Sequence, residues 1–259
     1  AFNKFYMKNA GHHSKDKTGS FCGIKTPIRY HRFFRTVECS AFHTSIRNFD
    51  KYNNLIHKFK PRFINTFPSI FLFFTKDLIQ RNKKIYPDIK AIFCHGEKIS
   101  PREKDFLTET YDCEVYDQYG HREQCVFATT VKNDDSYQVY PEYGIIELID
   151  EQNNLIHQKG KNGEIIATGL TNHIFPFIRY KTGDISSYTT DGDHVLPQSL
   201  SSINGRTNDY LVGKNQEKIP FSNLHQILSK PHFHLIQYQI IQEKKGEIKF
   251  SIHLPKFNI

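Results

Sequence analysis

Long apolar runs and leader-like features are both missing from this 259-residue sequence. No segment approaches the ~20 apolar residues that a membrane-spanning helix requires. Residues 1–10 contain no uninterrupted apolar stretch followed by a small-residue cleavage site, and a secretory signal is therefore not visible. We expect a soluble, globular, cytoplasmic protein with no membrane partner.

Patterns that would indicate disulfides or a structural metal are also absent. The chain has five cysteines, an odd number without a C-x-x-C pair, and its 14 histidines show no recognisable ligand spacing. These counts argue against a disulfide framework and a structural zinc site. The Gly-rich dinucleotide fingerprint is missing as well, and spacing reveals no Ser-His-Asp or Cys-His nucleophile. The cysteines expected to be free thiols are Cys22, Cys39, Cys94, Cys113 and Cys125.

What is present is an excess of positive charge, +8 at neutral pH. Such a charge suits a polyanionic partner, and nucleotides, coenzyme A and nucleic acids all qualify. The Lys and Arg residues are scattered rather than clustered. Nucleic-acid binding would rest on charge alone, and no nucleic-acid partner is expected.

The length predicts one main domain with a small second piece. Apolar residues at helical spacing predict helices over residues 48–59 and 69–81, separated by Pro61 and an extended stretch over residues 62–65. Residues 89–94 and 113–117 read as strands. Between them, Ser100 and Glu103 form a capping box with Pro101 at the first helical position.

This strand-helix-strand unit predicts where a ligand binds. Two strands joined by a crossover helix are normally parallel, and ligands bind outside the carboxyl ends of such strands. The segments that follow the two strands are residues 95–97 and 118–120. Both are therefore predicted to line one crevice.

The remainder of the chain is predicted to be mainly β. Short alternating runs indicate strands, and Asn-Gly at 162–163 and Asp-Gly at 191–192 are hairpin signals. These strands cover residues 144–150, 163–169, 177–181 and 186–190. After residue 205 the pattern changes to a helix over 221–228, an extended run over 235–242 and a strand over 247–254.

The fold class predicted is α/β. A parallel-containing sheet with flanking helices is expected in residues 1–204, as the C-terminal part of a large domain. A β-rich subdomain is expected at about residues 126–196. Residues 205–259 are expected to form the hinge and the start of a small α+β domain.

Three segments carry the chemistry: residues 117–123 (DQYGHRE), 177–184 (FIRYKTGD) and 205–209 (GRTND). In order and spacing they resemble signature segments of the adenylate-forming (AMP-binding) superfamily. The resemblance extends over roughly residues 45–259. It is closest to the branch of phenylacetate–coenzyme A ligases and capsular-polysaccharide-biosynthesis ligase-like proteins.

The first segment has a physical reading beside the one that the resemblance implies. The Tyr119 ring could stack on a purine, and Gly120 lets the backbone approach a ligand. The resemblance implies that Tyr119 lies against adenine, that Asp117 reads its amino group and that Glu123 holds Mg²⁺. A carboxylate beside a triphosphate suits this hard cation. At Arg122 many members have a hydroxyl; the guanidinium could replace that phosphate contact or face solvent.

The other two segments are implied to bind the ribose. A carboxylate at Asp184 could accept hydrogen bonds from both ribose hydroxyls, although Thr-Gly-Asp is also a common turn. Arg206 resembles the arginine at the junction of the large and small domains, which contacts ribose or phosphate. The hinge about which the small domain would rotate is left open between Asn208 and Asp209.

Residues 95–97 resemble the small-residue segment that covers one face of adenine, and His95 could instead line the acyl pocket. Glu123 is the predicted metal ligand. The residues predicted to bind the nucleotide are Gly96, Glu97, Asp117, Gln118, Tyr119, Gly120, Asp184 and Arg206.

The resemblance implies a ligase that uses ATP and Mg²⁺ to convert a small carboxylic acid into its acyl-AMP, then passes the acyl group to coenzyme A or another acceptor. Catalytic residues and a homodimer are left open. Neither the family's Ser/Thr/Gly-rich phosphate loop nor its distal lysine is visible, and residues 15–20 (KDKTGS) are read as a solvated loop. The chain is therefore expected to be a fragment that is inactive alone. The alternative is a nucleotide-binding but non-catalytic regulatory or scaffold protein.

Overall fold

The structure, a computed structural model, describes residues 7–8, 10–131, 134–191, 199–207, 209–220 and 237–253. The helices in these ranges are α1 Ile46–Phe59, α2 Pro68–Gln80 and α3 Pro101–Tyr111. The strands are β1 Thr18–Cys22, β2 Ile28–His31, β3 Thr36–Ser40, β4 Phe63–Thr66, β5 Ala91–His95, β6 Glu114–Gly120, β7 Phe127–Val131, β8 Asp134–Val139, β9 Gly144–Ile149, β10 Gly163–Gly169, β11 Tyr180–Ser186, β12 Ser199–Leu200, β13 Tyr210–Val212, β14 Lys218–Pro220, β15 Gln237–Lys244 and β16 Glu247–His253.

A nine-stranded sheet in the order β12-β8-β7-β6-β5-β4-β1-β3-β2 organises the molecule. Its central pairs β3-β1, β1-β4, β4-β5 and β5-β6 are parallel. The outer pairs on both sides are antiparallel. Strands β9 to β11 form a separate antiparallel sheet, and β13-β14 and β15-β16 form two-stranded sheets. The predicted α/β class with a parallel-containing sheet is confirmed.

The helices begin where the sequence provides caps. The Ser45 hydroxyl accepts a hydrogen bond from the Asn48 N–H at the start of α1, and Lys60 ends that helix in a left-handed conformation. Helix α3 begins with the predicted capping box, in which Ser100 and Glu103 each accept from the other's backbone N–H. These caps satisfy N–H groups that have no partner within the helix.

Aromatic side chains from the helices fill one side of the large sheet. Phe21 of β1 packs against Phe71 and Phe74 of α2 with ring centroids 5.2 and 5.1 Å apart. Tyr52 of α1 is fully buried in the same cluster. The second cluster is formed mainly by β6 to β10, and its members include Tyr119 and Tyr137. No helix in the described ranges is long and apolar enough to cross a membrane.

Three predictions of secondary structure are wrong. Residues 18–20 belong to β1, where Gly19 and Ser20 are buried, and are not part of a solvated loop. The short sequence TGSFC has no apolar run to reveal this strand, which is buried because it pairs with β3 on one side and β4 on the other. The strand predicted over 177–181 begins only at Tyr180, because Arg179 has a φ of 50°, which a strand does not accept.

The strand predicted over 186–190 is also absent. After β11 ends at Ser186, Tyr188 makes only an isolated bridge to Leu200. Several other predictions lie outside the described residues: the helix at 221–228, Gly192 of the second hairpin signal, positions 235–236 and 254, and Asn208.

Candidate nucleotide-binding site

The site begins where two parallel strands end side by side. In the β5-β6 pair, Cys94 is opposite Asp117 and His95 is opposite Gln118. Gly96 and Tyr119 therefore leave the same edge of the sheet, next to each other. The strand-helix-strand unit has the parallel arrangement that the sequence predicts, and residues 95–97 and 118–120 lie side by side at its carboxyl edge.

Asp117 is held on several sides although it is only 4% exposed. Its carboxylate accepts a hydrogen bond of 2.5 Å from the Tyr137 hydroxyl and one of 2.9 Å from the Gln118 N–H. Its own N–H donates to the Thr130 hydroxyl. Burial raises the pKa of Asp117 to about 6, while the Tyr137 hydrogen bond and the charge of Lys98 oppose that rise.

Tyr119, Asp184 and Arg206 form a connected group. The Tyr119 hydroxyl donates to Asp184 Oδ2 at 2.8 Å, and Arg206 Nε donates to Asp184 Oδ1 at 3.2 Å. Asp184 is buried, and Tyr119 is 9% exposed, with its ring near those of Tyr137 and His121. Burial, followed by the Asp184 charge, raises the pKa of Tyr119. Residues from three separate sequence segments therefore meet at one carboxylate.

The backbone around Arg206 is fixed by hydrogen bonds to β11. The N–H of Asn204 donates to the Ile185 carbonyl, and the N–H of Ile185 donates to the Gly205 carbonyl. The Thr207 N–H donates to the Gly183 carbonyl at 2.7 Å. Arg206 thus reaches Asp184 from a segment that is paired with the strand carrying that aspartate.

Glu123 lies at the more open side of this group. Its carboxylate accepts a hydrogen bond of 3.1 Å from the Tyr180 hydroxyl, and His121 Nδ1 is 3.3 Å from its second oxygen. Backbone hydrogen bonding, together with Tyr180, lowers the pKa of Glu123. Burial lowers the pKa of His121, against the charge of Glu123. The group is thus an ionised carboxylate beside a neutral imidazole at pH 7.

Gly96 and Glu97 have local structural roles. Gly96 has a φ of +76°, and a Cβ at this position would lie 2.6 Å from the Phe67 ring. The Glu97 carboxylate accepts a hydrogen bond from the Ser69 N–H in the first turn of α2, 3.1 Å away. Burial lowers the pKa of His95, whose ring contacts Phe67. This segment is therefore fixed against the start of α2.

Two hydrogen bonds to residues of the site were not predicted from the sequence. Tyr137 and Tyr180 each donate to a carboxylate of the predicted site, Asp117 and Glu123 respectively. Tyr180 lies inside a motif segment, but a strand tyrosine such as Tyr137 carries no signal beyond the alternation of buried positions in β8. Of the remaining predicted residues, Gln118 contributes its N–H to Asp117, whereas Arg122 is exposed.

Comparison with known proteins identifies the family of the chain. The family model described as "AMP-binding enzyme" matches residues 37–173, more than half of the chain. The chain belongs to the AMP-binding enzyme family. It is 23% identical over 221 residues to protein CapK of Staphylococcus aureus, covering 83% of this chain and 46% of that protein. It is 22% identical over 216 residues to the phenylacetate-coenzyme A ligase of Aromatoleum evansii, covering 81% of this chain and 48% of the ligase.

Solved structures of AMP-binding enzymes share the fold. A 2-hydroxyisobutyryl-CoA ligase in complex with 2-HIB-AMP superposes with a TM-score of 0.74 at 19% identity, covering 95% of this chain and 55% of that one. The anthranilate CoA ligase AuaEII with anthranoyl-AMP gives a TM-score of 0.61 at 15% identity, covering 95% and 52%. The chain therefore spans about half the length of the relatives it matches, and it adopts the fold of adenylate-forming enzymes.

Proposed function

We propose that this chain contains the adenine-nucleotide site of an ATP-dependent ligase that activates a carboxylic acid as its acyl-adenylate. The observation that carries the proposal is the meeting of Tyr119 and Arg206 at Asp184. A carboxylate suits a ribose diol, because it accepts hydrogen bonds and donates none. The family of the chain and the names of its relatives support the same activity.

Each residue of the site then has a role in binding. Asp117 accepts a hydrogen bond from the adenine amino group, and Tyr119 contacts the base, with Gly96, Glu97, Gln118 and Gly120 forming the surrounding backbone. Asp184 binds the ribose, and Arg206 contacts ribose or phosphate while holding Asp184 in place. No described residue acts as a covalent nucleophile in this scheme. Positioning and charge stabilisation supply the catalysis.

Glu123 fits a magnesium ion only in combination with the nucleotide. In the described part of the chain no three His, Cys, Asp or Glu side chains lie together in a way that could hold a metal. Mg²⁺ usually takes one or two carboxylates and completes its shell with waters and phosphate oxygens. The ionised Glu123, next to the neutral His121, offers one such carboxylate. When bound there, the ion would neutralise charge on the phosphates.

The proposed reaction has two steps. An oxygen of the acid's carboxylate attacks the α-phosphorus of ATP, and the bond to pyrophosphate breaks. The acyl carbon of the resulting acyl-AMP is then attacked by a thiol, and AMP leaves. Coenzyme A is the proposed thiol, since one relative and both solved structures named above are coenzyme A ligases. The identity of the acid and the oligomeric state are not part of this proposal.

We also propose the division of the chain at residue 205. Residues 1–204 would be the C-terminal part of the large domain, and 205–259 the hinge and part of the small domain. The two-stranded sheets β13-β14 and β15-β16, which are separate from the large sheet, support this division. Within the β-rich region at about 126–196, β7 and β8 extend the large sheet while β9 to β11 form their own.

A second candidate is nucleotide binding without turnover. The segment with the composition of a phosphate loop, residues 15–20, runs into the buried strand β1 and so does not offer a flexible loop to a triphosphate. This observation favours a regulatory or scaffold role for the chain by itself. The two candidates differ in whether pyrophosphate is exchanged, and not in which residues hold the base.

Two measurements test the proposal. The first is titration of AMP and ATP against the purified chain by calorimetry, with Asp184→Ala expected to weaken binding at least about tenfold. Asp150→Ala, which removes an exposed carboxylate from the loop after β9, serves as the matched control. Equal affinities for wild type and Asp184→Ala would reject the site. The second is ATP–pyrophosphate exchange by the complete natural protein with a panel of carboxylic acids, where exchange supports the ligase and binding without exchange supports the second candidate.

A further inference from the structure

Tyr137, which contacts the Asp117 carboxylate, is as buried as Asp117 itself. Tyr137 of β8 is 5% exposed, and its hydroxyl donates to Asp117 Oδ2. Its ring lies edge-on to that of Tyr119, with centroids 6.5 Å apart and an interplanar angle of 79°. One side chain therefore contacts both residues that are proposed to meet the base.

The register of the sheet explains why Tyr137 reaches this position. It pairs with Thr130 of β7 across the antiparallel β7-β8 ladder, and with Leu200 of β12 on its other side. The Thr130 hydroxyl in turn accepts from the Asp117 N–H. Strand β8 is therefore paired on both edges, and Tyr137 cannot shift without disturbing β7, which also holds the Asp117 backbone.

The hydrogen bonds of Asp117 leave little capacity for a ligand. One carboxylate oxygen accepts from the Tyr137 hydroxyl and the other from the Gln118 N–H, and the Ile99 N–H is a third donor to this carboxylate. Of about four lone-pair sites on the two oxygens, these donors leave one, which can accept but not donate when the carboxyl is ionised. An exocyclic amino group, as in adenine, satisfies such an acceptor. A carbonyl at the same position of the purine, as in hypoxanthine, would face it with another acceptor.

We propose that Tyr137 is a positioning residue for base recognition, which fixes the Asp117 carboxylate toward the purine and thereby favours a 6-amino over a 6-carbonyl purine. This inference rests on the proposed nucleotide site and adds to it a residue from a strand that carries none of the sequence motifs. Tyr137 acts through Asp117 and does not itself touch the nucleotide.

The charged and titratable groups around Asp117 determine how recognition depends on pH. They are Tyr137 from β8, Cys94 from the adjacent strand β5 and Lys98 from the segment after it. The Tyr137 hydrogen bond lowers the pKa of Asp117 against the effect of burial. Without this hydroxyl the pKa of Asp117 rises, and the ionised acceptor forms only at higher pH.

The test compares AMP with IMP, since the phosphate is common to both and its titration cancels in their ratio of affinities. For the wild-type chain we expect the AMP/IMP ratio to rise as pH increases through about 6. Tyr137→Phe should lower the ratio at pH 7.5 by about tenfold and move its midpoint to higher pH. Tyr111→Phe is the control. It removes an equally buried hydroxyl, which is hydrogen-bonded to Thr75 in the cluster that contains Phe21 and Tyr52, and its AMP/IMP ratio should be that of wild type.

The outcomes separate the inference from the proposed function. A wild-type chain that binds neither AMP nor ATP would refute both. Binding of AMP with the same ratio and midpoint in Tyr137→Phe as in wild type would overturn the role of Tyr137 alone. If circular dichroism shows that Tyr137→Phe does not fold, Asp117→Asn decides. The AMP/IMP affinity ratio of Asp117→Asn should not vary between pH 5 and 8. If this ratio depends on pH in Asp117→Asn as it does in wild type, the inference is overturned.

Discussion

The hydroxyl of Tyr119 donates a 2.8 Å hydrogen bond to Asp184, 65 residues further along the chain. This bond joins the end of β6 to β11 and leaves a buried carboxylate with two donors, the other being Arg206. We expect Tyr119→Phe to lower the free energy of unfolding by about 2 kcal/mol, because a buried carboxylate loses one of its two side-chain donors. Urea unfolding measures it. Tyr30→Phe, at an exposed tyrosine, should change stability by less than about 0.5 kcal/mol. Equal effects of the two substitutions would contradict the prediction.

Gly96 is required both for its conformation and for its lack of a side chain. Gly96→Ala should cost about 1 kcal/mol for the positive φ and more for the contact with Phe67. Gly160→Ala provides the matched control, since that glycine has a φ of +72° with nothing within 4 Å of an added Cβ. Thermal unfolding of the two variants should therefore show the larger loss for Gly96→Ala. A loss no larger than that of Gly160→Ala would mean that Phe67 moves aside freely.

Glu97 is expected to contribute to stability through α2. Removing its carboxylate in Glu97→Ala leaves the Ser69 N–H without this acceptor at the start of the helix, at a cost of about 1 kcal/mol. Glu109→Ala, on the exposed side of α3, is the control and should be nearly neutral. Chemical denaturation compares them. If AMP affinity falls in Glu97→Ala while stability does not, Glu97 is a ligand contact and not a cap.

Ionisation of Asp117 should oppose folding. Its pKa in the folded chain is about 6, above the 3.8 of a solvated aspartate, so the folded chain keeps a proton that the unfolded chain has released between these values. Stability from this group is therefore present at low pH and lost as pH rises through about 6. Asp117→Asn should gain stability relative to wild type between pH 4 and pH 7.5, by at most about 3 kcal/mol.

Urea unfolding at the two pH values measures this gain for Asp117→Asn. Asp105→Asn, at an exposed position of α3, controls for the loss of a surface charge and should show little change between them. A stability difference between Asp117→Asn and wild type that is the same at both pH values would show that Asp117 does not titrate in this window.

Magnesium dependence tests Glu123. We expect Mg²⁺ to strengthen ATP binding to the wild-type chain, and Glu123→Gln to lose about tenfold of that gain, because a neutral amide is a poorer ligand for a hard cation. Calorimetric titration of ATP with and without Mg²⁺ gives both affinities for each protein. Glu142→Gln, at an exposed glutamate before β9, should retain the full magnesium effect. A magnesium effect of wild-type size in Glu123→Gln would remove this residue from the proposed metal site.

Local patterns predicted a large part of the fold and of the site. The capping box at Ser100 and the apolar run of β5 encode their own structure, and the parallel pairing with β6 then follows from the crossover helix. Asp117, Tyr119, Asp184 and Arg206 came from a resemblance of short motifs. The structure brings Tyr119, Asp184 and Arg206 into contact, and Tyr137 lies between Asp117 and Tyr119. Strand β1 could not be predicted in the same way, because its burial depends on strands that lie up to 45 residues away, as between Thr18 and Phe63.

Local sequence patterns also could not predict which residues contact the motif residues. Tyr137 contacts Asp117 because of the register between β7 and β8, and a shift of one residue would turn it to the opposite face. Glu97 was predicted to bind the nucleotide, and its contact with Ser69 becomes visible only when α2 and the end of β5 are placed together. Motifs indicate which residues carry chemistry, while pairing between strands determines what holds them.

The hydrogen bonds between residues 204–207 and β11 have a mechanical consequence. Ile185 and Gly183 keep the backbone up to Thr207 attached to the strand that bears Asp184. As long as these hydrogen bonds persist, a swing of the segments that carry β13 to β16 pivots beyond Thr207, in the later part of the proposed hinge, and Arg206 stays on the stationary side of that pivot. A ligand bound at Asp184 would keep its arginine contact throughout such a motion, whichever direction the later strands turn.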